Sequence, residues 1–181
     1  RMDKQPLWSL ESVTYHESIP GHHMQIALTQ ENQSVPDFRR SYFFSGYNEG
    51  WALYAETLAK EMGVYPEGDY GDVGRLFREL KRAVRLVVDT GFHYKRWTIE
   101  QSAQYIADHF KVTPESAISE MERYANWPGQ ALSYKLGQLE FQRLRLQSEK
   151  ELGNKFDIKE FHSLILKDGV VPFDLLEQQV L

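Results

Sequence analysis

Apolar residues in this chain recur at three- and four-residue steps through most of its length, and no convincing run alternates apolar with polar side chains. A strand buries every second side chain and a helix every third or fourth, so the pattern confines the chain to helices. The expected fold class is all-α. Pro6 suits a first helical turn, and Leu10, Val13 and His16 follow until Pro20-Gly21 interrupts, with resumption through Met24, Ile26 and Leu28. A polar stretch from Glu31 to Asp37 leads through Tyr42-Phe43-Phe44 to Asn48, which is expected to cap a helix from Glu49 to about Met62 that Gly63 ends. Val73, Leu76, Phe77, Leu80, Val84, Val87 and Val88 then form a stripe expected to be buried, with Arg75, Arg78, Lys81, Arg82 and Arg85 on the charged face of the same long helix. Later helices are expected to start at Thr98 with Gln101, at Thr113-Pro114-Glu115, after Trp127-Pro128-Gly129 and at Asp157 with Glu160; Pro172 to Val180 reads as a terminal amphipathic segment.

Composition sets the outer bounds. The 181 residues are 41% hydrophobic, enough for one core and too few for two, so residues 1-181 are expected to form a single domain. The formal net charge is -5 and Lys and Arg form no consecutive run, so a nucleic-acid or anionic-membrane partner is not expected. No apolar stretch approaches the ~20 residues a bilayer span needs, and Arg1-Met2-Asp3-Lys4 opens no signal-peptide core. Cysteine is absent, so any metal must be held by His, Asp or Glu. A chain that begins with Arg and enters a helical pattern within a few residues is expected to be the C-terminal part of something longer.

The strongest chemical signal is His16-Glu17-Ser18-Ile19-Pro20-Gly21-His22-His23. Zinc peptidase helices commonly space two His four apart with a Glu between them as base. Here the spacing is six or seven, and on a straight helix neither His22 nor His23 would meet the ion that His16 holds. Pro20 cannot donate to the His16 carbonyl and Gly21 tolerates unusual dihedrals, so two looped-out residues would bring His22 to the required place. His22 is therefore preferred as second ligand, with His23 as the alternative. Two neutral imidazoles want an anionic third ligand, and Glu49 and Glu56 lie on one side of an otherwise apolar helix, where a carboxylate needs a cation or hydrogen-bond partner. Each of these residues taken singly also has an ordinary structural reading, a surface His or a first-turn Glu.

Four blocks carry a family resemblance: His16-Glu17-x-x-Pro-Gly-His22-His23-x-Gln25, Gly46-x-x-Glu49-Gly50-Trp51-Ala52-Leu53-Tyr54-Ala55-Glu56, Val88-Asp89-Thr90-Gly91-x-His93, and Pro128-Gly129-Gln130-Ala131-x-x-Tyr134-x-x-Gly137. They resemble the bacterial domain-of-unknown-function 885 family, whose members look like zinc metallopeptidases of the gluzincin group and are several times longer, with the remainder N-terminal. The second block is also similar to the Glu-bearing helix of thimet oligopeptidase and the thermostable carboxypeptidases. The resemblance implies one Zn2+ per chain held by His16, His22 and Glu49, with Glu56 and His23 supporting the ligands. It implies Glu17 as general base toward water, Tyr134 and His93 as oxyanion donors, and a peptide substrate. It further implies a periplasmic or cell-envelope location. The six-residue His spacing departs from the usual pattern. A non-peptide amidohydrolase would use the same groups, and a non-catalytic helical binding module that keeps the metal is the third reading; Glu17 is the residue that such a module would not need.

Overall fold

The computed structural model of the chain describes residues 7–66, 70–110 and 112–181, and among these every regular element is helical. The α-helices are α1 (Leu10–Glu17), α2 (His22–Glu31), α3 (Asp37–Arg40), α4 (Ser45–Glu61), α5 (Gly71–His93), α6 (Ile99–Phe110), α7 (Pro114–Asn126), α8 (Gln130–Leu152), α9 (Ile158–Leu166) and α10 (Phe173–Val180). The expected start at Pro6 lies outside the described residues; a 3₁₀ turn, Leu7–Ser9, leads into α1. No helix among the described residues is long and apolar enough to cross a membrane.

Most helix starts fall where local chemistry puts them. The Thr98 N–H donates to Gln101 Oε1 at 2.9 Å and the Gln101 N–H to Thr98 Oγ1 at 3.1 Å, a reciprocal cap. Thr113 accepts from the Ser116 N–H, and Asp157 from those of Lys159 and Glu160. The start of α4 is a correction: it begins at Ser45, so Asn48 lies inside the helix and is not its cap. Asn48 Oδ1 instead reaches back to the Phe44 N–H at 3.2 Å, and its Nδ2 donates to Gln25 Oε1 at 2.9 Å, joining α4 to α2.

The larger of two apolar cores joins α4, α8, α9 and α10 through Tyr47, Trp51, Tyr54, Phe141, Leu144, Phe161, Ile165 and Leu176. Fully burying side chains of this size stabilises the fold by about 1.5–3 kcal/mol each. Within this core α4 and α8 touch backbone to backbone. A Cβ on Gly137 would lie 2.0 Å from the Gly46 carbonyl oxygen, and one on Gly50 would lie 2.4 Å from Gly137 Cα. The smaller core joins α5, α6, α7 and the start of α8 through Val84, Val88, Ala103, Ile106, Ala117, Met121, Tyr124 and Ala131.

Helix α5 overturns the expected burial of its apolar stripe. Only the Val84 and Val88 edge enters the core, while Val73, Leu76 and Leu80 are 55%, 52% and 43% exposed. The buried arc instead carries Arg82 and Arg85, 4% and 6% exposed, together with Arg75 and Asp89. At 100° per residue the inward face is turned about a quarter of a revolution from the apolar stripe. The cause is on the other side of the interface, where α1, α2 and α4 present His and Glu side chains that cations on α5 can face.

Candidate metal centre

The site forms where α1, α2, α4 and α8 meet the charged arc of α5. Helix α1 stops at Glu17 and α2 restarts at His22, with residues 18–21 looped out between them. The Ile19–Pro20 peptide is cis. Gly21 passes so close under α1 that a Cβ there would lie 1.9 Å from the His16 carbonyl oxygen. Trp51 Nε1 donates to the Pro20 carbonyl at 2.9 Å and ties this loop to α4. The detour turns a six-residue separation into a face-to-edge meeting of the His16 and His22 rings, 4.8 Å between centroids.

The carboxylate of Glu49 closes the set. Its Oε2 lies 3.3 Å from His22 Nε2 and 3.7 Å from His16 Nε2, and one donor atom from each of the three residues falls within 4.8 Å of the others. Donors held at 2.0–2.2 Å around a tetrahedral zinc sit about 3.3–3.6 Å apart, so the two separations from Glu49 suit such an ion and the donor chemistry fits it. The other Glu49 oxygen, Oε1, accepts from Gln130 Nε2 at 3.2 Å, which fixes the carboxylate's rotation. Burial by itself would raise the Glu49 carboxyl, but the adjacent His16 and His22 rings outweigh it and draw the group down to about 2.

Behind His16 stands Glu56, 1% exposed, with Oε1 2.9 Å from His16 Nδ1 and Oε2 accepting from Ser12 Oγ. A carboxylate on Nδ1 leaves the Nε2 lone pair to face Glu49 and a shared cation. Burial works against a charge on His16, yet Glu49 and Glu56 on its two sides raise its affinity for a proton. Glu17, the residue after His16, is exposed and borders the same cavity, outside the ligand cluster.

Tyr134 lines the same cavity as Glu17. Its ring stacks 6.4 Å from that of His16, and its hydroxyl accepts from Gln130 Nε2 at 3.0 Å and from Arg123 Nη2 at 3.3 Å. Two acceptances use both lone pairs of a hydroxyl and leave its own proton to donate into the cavity.

Two expected site residues are not brought here. His23 points out of the cluster and is exposed on α2, because the loop that delivers His22 rotates its neighbour away. His93 is exposed at the end of α5 and donates its Nε2–H to the Tyr124 carbonyl at 2.9 Å, so it belongs to the α5–α7 contact and does not line the cavity. Asp89, four residues before it on α5, accepts from the Gly129 N–H at 3.3 Å. Conversely, Ser12, Gln130, Arg82 and Arg123 are site residues that sequence reasoning assigned no role. Gln130 was visible only as a letter in the Pro-Gly-Gln-Ala block, and Arg82 only as one of a row of cations.

Residues 1–180 match the family described as "Bacterial protein of unknown function (DUF885)". No curated protein matches the chain. The crystal structure of a "putative lipoprotein" from Colwellia psychrerythraea is similar at a TM-score of 0.95 and 48% identity, covering 99% of this chain and 31% of that one. That of a "putative lipoprotein of unknown function" from Shewanella oneidensis is similar at a TM-score of 0.86 and 26% identity, over 95% of this chain and 31% of that one. The chain thus spans about a third of the length of either structure.

Proposed function

Since this chain belongs to the DUF885 family of bacterial proteins, we propose that it forms the active part of a zinc-dependent peptidase of the gluzincin kind, with His16, His22 and Glu49 as ligands. The observation that carries this reading is a three-donor cluster with a further carboxylic acid, Glu17, beside it but outside it. A closed structural zinc site has four protein ligands and no use for such a neighbour, whereas a hydrolytic site needs both an open position and a base.

When bound, zinc supplies Lewis acidity that polarises a substrate carbonyl and acidifies water. The chain's own groups do the rest. Glu17 takes a proton from the attacking water and returns it to the leaving amine. Tyr134, whose hydroxyl proton is free, donates to the oxygen on which negative charge develops. Glu56 holds His16 through Nδ1, and Gln130 holds both Glu49 and Tyr134, so one amide sets the spacing between ligand and oxyanion donor. The likeness to two structures described as lipoproteins supports a cell-envelope location for the whole protein.

The test is metal content and hydrolysis of a mixed peptide library by the full-length protein, beside Glu17→Gln. The expected result is about one zinc per chain in both, with cleavage only by the wild type. Absence of metal from both removes the proposal; metal in both with no peptide cleaved moves the substrate to another amide or the site to a non-catalytic role.

A further inference from the structure

The cavity beside the metal ligands has a volume of about 330 Å³, and all ten side chains that line it are ionisable. One wall is the ligand cluster with Glu17. The other is Arg78, Lys81, Arg82 and Arg85 from α5 with Arg123 from α7. Lys81 and Arg85 are accounted for within the protein, since both pair with Glu120 and Arg85 Nε also donates to Tyr124. Arg78, Arg82 and Arg123 have no close carboxylate among the described residues, although Arg82 Nη1 donates to the Arg78 carbonyl at 3.2 Å. The carboxylate oxygen that Arg82 and Arg78 approach, Glu56 Oε1, is 3.8 and 3.9 Å away and already faces His16, and neither Nε has a hydrogen-bond partner. Arg123 spends its guanidinium on the neutral groups of Gln130 and Tyr134. Burying a guanidinium as deeply as Arg82 without a close carboxylate is costly, and here it is done beside a pocket that a divalent cation would make more positive still.

We propose that this arginine wall receives a carboxylate of the substrate, so that the bond cleaved lies one or two residues from that carboxylate; the inference rests on the peptidase reading above. The Tyr134 ring supplies the spacing. His16 stacks against it at 6.4 Å, while Arg85 and Arg82 lie over it at 5.1 and 5.5 Å from its centroid. An extended peptide advances about 3.3–3.6 Å per residue, so a carboxylate on these guanidinium groups leaves a carbonyl one or two residues away within reach of the ligand cluster. Arg is suited to the task because its planar fork grips a carboxylate through two parallel hydrogen bonds. A lining with no apolar side chain besides the Tyr134 ring means that recognition in this cavity is by charge. The carboxylate has two sources, the C-terminus of a peptide or an Asp or Glu side chain.

Three peptides of one sequence separate these sources in the zinc-loaded full-length protein: a free acid, its C-terminal amide, and an amide with Glu near the end. A free acid cleaved about 30-fold or more faster in kcat/KM than the plain amide, carried mainly by KM, assigns the C-terminal carboxylate. Preference for the Glu-containing amide assigns a side-chain carboxylate. In either case Arg82→Met should erase the preference while leaving zinc content intact and Tm no lower than that of the wild type, and Arg82→Lys should restore part of it. Equal cleavage of all three peptides overturns this inference and leaves the peptidase reading standing. If no peptide is cleaved, calorimetric binding of an acetyl-dipeptide acid against its amide decides: acid-selective binding lost in Arg82→Met supports the carboxylate wall without the peptidase, and equal binding overturns it.

Discussion

Helices α4 and α5 are the two long walls of the same cavity, and they solve opposite problems. Helix α4 is buried on nearly every side and apolar along most of its length, with Asn48, Glu49 and Glu56 among its few inward polar residues. Helix α5 has the cleaner amphipathic pattern, yet turns a quarter of the way round so that its cations go in and most of its apolar stripe goes out. The contrast shows that packing fixes α4 and electrostatics fixes α5. Two buried carboxylates and two histidines on one wall face positive charge on the other, and Val73, Leu76 and Leu80 are left uncovered in exchange.

The comparison can be broken hardest at the packing end. Gly137→Leu should push α8 off α4 and cost at least about 3 kcal/mol in denaturant unfolding; an unchanged midpoint would mean that the backbone crossing is not what holds α4. Glu56→Gln keeps the shape of α4 but removes the charge behind His16, and zinc affinity by competition with a chelator should fall about 10–100-fold. Arg82→Met tests the electrostatic wall from the other side: replacing a poorly paired buried cation with an apolar chain should raise stability, by about 1 kcal/mol, which would make Arg82 a residue kept at a cost to the fold.

A smaller effect is expected on the far side of α4, where burial and the nearby Arg145 hold His162 down to about 4 and the Tyr54 hydroxyl lies 2.9 Å from its Nε2. The unfolded chain takes up this proton as pH drops through 6.5, its ordinary value, while the folded protein resists until about 4. Stability from this group is therefore complete above pH 6.5 and declines between 6.5 and 4, by about 1 kcal/mol after allowance for partial exposure. Urea midpoints across that range should lose this slope in His162→Gln. The smallest effect belongs to the outward flank of α5: Val73→Lys should shift stability by under about 0.5 kcal/mol, and a large loss would put that stripe back in the core.

Most of the helical framework was legible in the sequence because caps and breakers act locally. Thr98, Thr113 and Asp157 announce helix starts through bonds made within three residues of themselves. The His16, His22 and Glu49 set was legible for a related reason: Pro20-Gly21 marks the place where a helix must detour, and the detour decides between His22 and His23. The orientation of α5 was not legible. Periodicity says which residues share a face but not which face turns inward, and the decision came from Glu56 and the histidines, which are remote in sequence. His93 misled in the same way, since a motif fixes its neighbours along α5 while its ring is claimed by the Tyr124 carbonyl of α7.

The bare contact of Gly50 with Gly137 has a consequence for how such a sequence can drift over generations. Glu49 is the next residue to Gly50, so the width of this helix crossing also sets where one ligand sits. Any side chain gained at either glycine widens the crossing and moves Glu49 away from two histidines that ride on other helices. The two positions can accept change only if α1 and α2 are displaced in step, so a pair of residues that lie outside the His16, His22 and Glu49 cluster inherits the tolerance of the cluster itself.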